Sequence, residues 1–326
     1  MTDELERDLR AANPVRSRRT DPLSARAEAE LADLLASAPV VPIESAPRKR
    51  SPLAWALAGA AALVVAALIT VNSLNTPAAV IAALPELDAV PIDATLSEVL
   101  AEMSANARKL PGDTTLGQVI DSEAWYSEIT VDEESTTFFV QPQLVHLEWR
   151  DDYTGFIETR AGEVRWGDPV SADGMAEPGE LLSHYDFDEP GTFPPVFGDP
   201  PPDTAEGFSE YIRAANPEFD DDTETMLYFA SLRDIRGFWP LTGPQAAGAL
   251  DFIATLPDVE LLGEVTDRVG RTGIALVTET KTHRQVLVFD RKTGQLISEE
   301  TLYLGGIPDF DVPPGVMGFT AWEAAG

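Results

Sequence analysis

The side chains best suited to acid–base or metal chemistry are scarce in this sequence. It contains three histidines, His146, His184 and His283, and no cysteine. Without a thiol, disulfide frameworks, cysteine nucleophiles and cysteine-ligated zinc or iron–sulfur centres are excluded. An imidazole becomes a ligand or general base when other polar groups converge on it, and nothing in the linear order gathers the three. His146 falls in a strand-like alternation, His283 beside a turn, and His184 in a stretch rich in Pro and Gly. The motifs G-x-S-x-G, H-E-x-x-H, G-x-x-x-x-G-K-[ST] and G-x-G-x-x-G are all missing. The expectation is a protein that is not an enzyme, with no catalytic residue, metal ligand or cofactor.

Carboxylates are abundant, so their spacing alone singles out no acid–base pair. Asp186-Phe187-Asp188-Glu189-Pro190-Gly191 has the opening of a calcium-binding loop, but Pro190 stands at its fifth position and Phe197 at its twelfth, where a bidentate Glu is needed. Asp220-Asp221-Asp222 serves equally well as the acidic lead-in to a helix starting at Thr223.

Charge divides the chain more clearly than motifs do. Residues 1–51 hold nine basic and nine acidic side chains, whereas the remainder holds 46 acidic against 14 basic, the source of the net charge of -32. Binding to nucleic acid draws on Lys and Arg for counterion release, so the acidic part is unsuited to it. Between the two parts, Ser51–Pro85 carries no charge, and Leu53–Val71 consists of Ala, Leu, Val and single Ile, Trp, Gly and Thr residues. A stretch of ~20 apolar residues rising ~1.5 Å each reaches across a bilayer core. Arg48, Lys49 and Arg50 flank its front end, and no Lys or Arg follows until Arg108. The positive-inside rule therefore places the N-terminus in the cytoplasm and the acidic part outside, in a single-pass protein of the cell membrane. Within the span Ala54, Ala58, Ala62 and Ala66 form one small-residue stripe, a face for helix association.

The expected organisation is a cytoplasmic arm over 1–51, a transmembrane helix over 52–73, a linker over 74–94 and an outer domain over 95–326. In the arm, Thr2 caps a helix carrying Leu5 and Leu9 on one face, and Pro14 ends it. Asp21-Pro22 opens a second helix carrying Leu31, Leu34 and Leu35. Helices this short cannot bury such stripes in a core of their own, so the five leucines form a partner-binding surface.

The outer domain reads as α+β, an antiparallel β-sheet with packed helices. Helical spacing marks Thr95–Lys109, a short turn at Leu116–Ser122, Thr204–Ala215, Thr223–Arg236 and Pro244–Thr255. Alternation marks strands at Ala124–Val131, Thr136–Val140, Leu144–Arg150, Gly155–Arg160 and Glu163–Trp166, read as an antiparallel meander. Four more follow, Val259–Thr266, Gly273–Glu279, Gln285–Asp290 and Gln295–Leu304, the last two joined by a tight turn with Gly294 at a positive φ. The stretch 167–203 reads as a long surface excursion.

Several segments together carry a family resemblance: L-R-A-A-N-P at 9–14, D-P-L-S-A-R at 21–26, the basic cluster with its Ala-rich span, L-P-D-V-E-L-L-G-E-V-T-D-R-V-G-R-T-G-I-A-L at 256–276 and L-V-F-D-R-K-T-G-Q-L at 287–296. They resemble a family of actinobacterial single-pass membrane proteins encoded beside extracytoplasmic-function sigma factors. The resemblance implies an anti-sigma-like regulatory role, with a sigma factor as cytoplasmic partner and an unknown ligand or protein outside. The arm departs from the zinc-containing anti-sigma type, having neither His nor Cys. The outer domain is also similar to lipoprotein-carrier folds, in which a curved sheet wraps an apolar cavity. That likeness implies the alternative of a membrane-tethered lipid or lipoprotein binder with no signalling role.

Overall fold

The computed structural model describes residues 86–112, 118–131, 136–140, 142–150, 152–163, 176–189, 197–217, 224–306 and 314–323. All belong to the second of the two units into which the chain divides, Ser51–Gly326. The arm, the apolar run and the residues singled out in them lie outside the described residues. No helix among the described residues is long and apolar enough to cross a membrane.

Four helices and eleven strands occur among the described residues. Helix α1 (Leu96–Ala107) begins where the sequence places it, because Thr95 and Glu98 form a reciprocal capping box. Such a cap satisfies two backbone donors that the first helical turn leaves open. Helix α2 (Ala205–Ala215) is capped by Thr204 and buries Phe208 and Ile212, one turn apart. Helix α3 spans Glu224–Phe238, and α4 (Gly243–Ile253) opens with a second capping box from Thr242 and Gln245. A side chain on Gly248 would meet the carbonyl carbon of Asp203 at 2.4 Å, so glycine there lets the lead-in to α2 lie against α4.

The strands are β1 (Ala89–Val90), β2 (Gln118–Val131), β3 (Thr136–Val140), β4 (Gln143–Trp149), β5 (Gly155–Ala161), β6 (Leu181–Phe187), β7 (Glu260–Thr266), β8 (Thr272–Glu279), β9 (His283–Phe289), β10 (Leu296–Tyr303) and β11 (Gly315–Trp322). All pair antiparallel in one sheet of order β1-β7-β8-β9-β10-β11-β2-β4-β5-β6, with β3 attached to β2. The α+β class expected from the sequence is thus present, with several local corrections. Residues 118–122 belong to strand β2 rather than to a helical turn. The meander is broken, because β4 returns past β3 to pair with the first half of β2. β5 ends at Ala161. The supposed excursion contains β6, and β1 and β11 carry too little alternation to be read as strands.

Alternation along the strands divides the core in two. Ile120, Leu147, Ile274, Leu276, Leu287, Phe289 and Leu296 meet the helices, where Val99, Met103, Phe229, Leu250 and Ile253 are buried against them. The other face holds a second cluster, including Trp125, Ala275, Val286, Val288, Ile297, Leu302, Val316 and Phe319. The turn from β9 to β10 is built as the sequence indicates: Gly294 has φ +67° and its N–H donates to the Asp290 carbonyl at 2.8 Å. Helix α1 grips that turn, with Glu102 pairing Arg291 at 2.7 Å and Asn106 donating to the Arg291 carbonyl at 3.1 Å.

The seam between β11 and β2 joins the two halves of the sheet, and Phe319 pairs there with Trp125, their rings 5.8 Å apart. Truncation of the fully buried Phe319 to Ala is expected to cost about 3–5 kcal/mol. Urea denaturation followed by tryptophan fluorescence checks this, with Thr95→Ala, a lost helix cap, expected to cost only about 1 kcal/mol.

Candidate functional site

Strand pairing does what linear order conceals. Asp121 on β2 is in register with His146 on β4, His146 with Glu158 on β5, and Glu158 with His184 on β6. Two of the three histidines thus lie in one lateral row across four strands, alternating with carboxylates. The expectation that nothing gathers the histidines is corrected, because residues in register on neighbouring strands project from the same face. The same alternation sends Ile120, Leu147 and Trp149 to the helix-covered face, so the row stands on the opposite one.

The row is bonded and accessible. Nδ1 of His146 lies 2.6 Å from Asp121, and their side chains are 38% and 41% exposed. Nδ1 of His184 lies 3.4 Å from Glu158, and its Nε2 lies 3.2 Å from Asp186. Arg160 donates to Glu158 at 2.7 Å, and this hydrogen bond holds the Glu158 carboxyl below the ordinary carboxylate range. Phe156 sits between the two imidazoles, with its ring 5.4 Å from His146 and 5.5 Å from His184. Around the row the surface is partly apolar, since Val119 and Leu144 are 48% and 44% exposed.

At the Phe156 end is a shallow recess of about 230 Å³, lined by Arg150, Thr154, Gly155, Phe156, Asp186, Phe187 and Asp188. It falls below the ~300 Å³ at which small-molecule sites usually begin. Among the described residues no group of three or more His, Asp or Glu side chains is placed to hold a metal ion. Asp186 and Phe187, which begin the stretch resembling a calcium-loop opening, are the last residues of β6. His283 stands apart, with Nδ1 2.9 Å from the Thr282 hydroxyl and its ring 5.6 Å from that of Tyr303, and burial lowers its pKa.

Chemically, the row is a set of imidazoles and carboxylates within bonding distance of one another and open to solvent. Its components were visible in the sequence as polar residues in alternating segments. Their convergence was not, because it requires β6, which Pro and Gly on both sides disguise as loop. The leucines Leu5, Leu9, Leu31, Leu34 and Leu35, the alanines Ala54, Ala58, Ala62 and Ala66, and the cations Arg48, Lys49 and Arg50 lie outside the described residues.

A second titratable cluster is buried under α3. Glu299 on β10 is 1% exposed and accepts a hydrogen bond from Thr320 on β11 at 3.2 Å. Burial pushes its carboxyl up to about 7, against the pull of Arg233. In the same layer Arg236 is lowered to about 10, first by burial and then by the charge of Arg271, while it donates to the Glu323 carbonyl at 3.1 Å. Both side chains are buried, Glu299 at 1% and Arg236 at 5% exposure.

Comparison of the chain with protein-family models, with curated proteins and with solved structures finds no match in any of the three.

The buried carboxyl makes stability depend on pH. As pH rises from the ordinary value of 4.5 towards 7, the unfolded chain releases the Glu299 proton while the folded one keeps it, so stability falls until the folded group also ionises. Glu299→Gln is expected to stabilise the protein by roughly 2–3 kcal/mol above about pH 7.5 and to change little near pH 4. Thermal melts of the two proteins at both pH values measure the difference.

Proposed function

We propose that this chain is a single-pass membrane regulatory protein. Its acidic outer domain binds a ligand or protein partner, and its cytoplasmic arm engages a sigma factor. The finer architecture belongs to the same proposal: a helical arm over 1–51, a transmembrane helix over 52–73 and an N-terminus on the cytoplasmic side. One observation carries it: an uncharged run from Ser51 to Pro85, fenced on one side only by Arg48, Lys49 and Arg50. The outer domain adds support through an open, partly apolar and strongly polar sheet face of the kind that binds partners rather than one that turns over a substrate. No catalytic role is proposed.

The alternative, a membrane-tethered lipid or lipoprotein carrier, calls for an apolar cavity between sheet and helices. Among the described residues that layer is occupied by Leu276, Leu287, Phe289, Phe229, Leu250 and Ile253, each no more than 2% exposed. A filled layer favours the regulatory reading.

The full-length protein is expected to sediment with membranes and to be released by detergent but not by salt. Protease added to whole cells is expected to remove the outer domain and spare residues 1–51. In a pull-down, the full chain is expected to retain the neighbouring sigma factor, with Leu31→Ala/Leu34→Ala lowering retention about tenfold or more, as for loss of two buried anchor side chains. A soluble protein, or cleavage of the arm from outside, overturns the membrane layout. Equal retention by parent and variant overturns the sigma-factor role.

A further inference from the structure

We propose that residues 78–84, Ala-Ala-Val-Ile-Ala-Ala-Leu, lie across the sheet face opposite the helices and cover its apolar cluster, so that the stretch expected as a linker is the first packed segment of the outer domain. What this means for a membrane protein rests on the reading of 52–73 as a span, whereas the packing itself does not.

The state of the face is the first ground. Its polar half, the row from Asp121 to His184, is open to solvent. The half on β8 to β11 is sealed, with Val288, Leu302, Val316 and Phe319 each no more than 5% exposed. Among the described residues no helix contributes to this second cluster, all four burying their apolar side chains in the first. The apolar residues that pack on it from outside are Leu87, Ala89, Leu262 and Val269, which lie just ahead of β1, on β1, on β7 and in the turn after β7, all towards one edge of the sheet. The seal reaches further in. Glu300 on β10 is in register with Val286 and Phe319 and so stands on this face, where it pairs with Arg268 at 2.6 Å, the two side chains only 2% and 8% exposed. Side chains in the middle of a sheet face are withdrawn from water when a further layer packs above them.

The path of the chain names the occupant. β1 is fixed at the outer edge of β7, where a side chain on Gly263 would meet the Val90 carbonyl oxygen at 2.5 Å. Upstream of β1 the chain turns inward over the sheet: Leu87 packs on the cluster, and Glu86 pairs at 2.6 Å with Arg284 of β9, which is in register with Leu302. Pro85 and the uncharged run 78–84 come next, delivered onto the face where the described cover stops. Pro77 and Pro85 delimit that run, and its Val80, Ile81 and Leu84 have the spacing of one side of a short helix. At ~1.5 Å per residue such a segment reaches ~10 Å, the separation of β9 from β11 at ~4.8 Å per strand.

With 52–73 in the bilayer, residues 74–77 alone join the membrane to the covered sheet. At ~3.5 Å per residue they extend no more than ~14 Å, so the outer domain is held close to the lipid surface.

The chain has no cysteine, so a single introduced thiol reports cover without background. Ala321→Cys places one on β11 in the second cluster, and Ala247→Cys, in a separate protein, places one on α4 in the first. Alkylation by N-ethylmaleimide is measured in full-length protein in detergent micelles, and both thiols are expected to react slowly. Adding Ile81→Asp/Leu84→Asp is expected to speed the β11 thiol about tenfold or more, and the milder Ile81→Ala/Leu84→Ala about fivefold, with the α4 thiol unchanged, as for loss of two buried side chains that cover one face only. Ile81→Leu/Leu84→Met is expected to keep the parent's rate. An unchanged rate at the β11 thiol, or equal acceleration of both thiols in the alanine variant, overturns the proposal. So does acceleration by Leu63→Asp/Leu68→Asp, which marks the run 53–71 as the cover, or a rate at the β11 thiol that falls with rising protein concentration, which marks a second copy. None of these readouts depends on whether the protein sediments with membranes, so failure here is separable from failure of the membrane assignment.

Discussion

The pairing of β11 with β2 is the interaction on which the rest of this domain depends. It places residues from the end of the chain between β10 and the first long strand, and so makes one sheet of two antiparallel groups. Each group alone would expose a long unpaired edge and half of an apolar face. Joined, they give the helices a continuous floor: Trp322 from β11 shares the helix-side core with Leu147 from β4 and Leu287 from β9. The cost of this arrangement is topological, since contacts between residues near 120 and 320 form only after a long loop has closed.

From that floor two kinds of polar arrangement arise, and their surroundings give them opposite characters. Under α3, Glu299 is sealed from water, so its ionisation is opposed by desolvation and couples to folding. On the open side, the row from Asp121 to His184 keeps contact with solvent. The same sheet thus separates a sealed carboxyl from an accessible polar row. Period-two alternation achieves this, sending Leu147 inward and His146 outward from adjacent positions.

Much of the fold was legible because its signals are local. Thr95 and Thr204 mark helix starts through their own hydroxyls, and Asp290 to Gly294 specify their turn with a side-chain cap and one positive φ. What escaped was non-local or masked by composition. β11, Gly-Val-Met-Gly-Phe-Thr-Ala-Trp, is buried on both faces and so lacks the polar alternation that marks a half-exposed strand. β6 is the reverse case, exposed along nearly all its length and set among Pro and Gly. Residues 118–122 looked helical from their spacing, yet their ladder with β4 and β11 overrides local preference. The histidine row needed both a hidden strand and the lateral register, and single-strand patterns carry neither.

The way the chain enters this domain has a mechanical side. The first described bonds to the body are an ion pair from Glu86 to Arg284 at 2.6 Å and the two-residue β1, which pairs only with Val265 and Glu264 of β7. Beyond them α1 is pinned by its capping box and by Glu102 and Asn106 to the turn before β10. A load arriving from the N-terminal side therefore meets a weak latch first and a strong anchor second. Tension would detach Glu86 to Val90 and lengthen the leash by a few residues while the sheet stays whole, a compliant joint between whatever holds the chain upstream and the rigid body that follows.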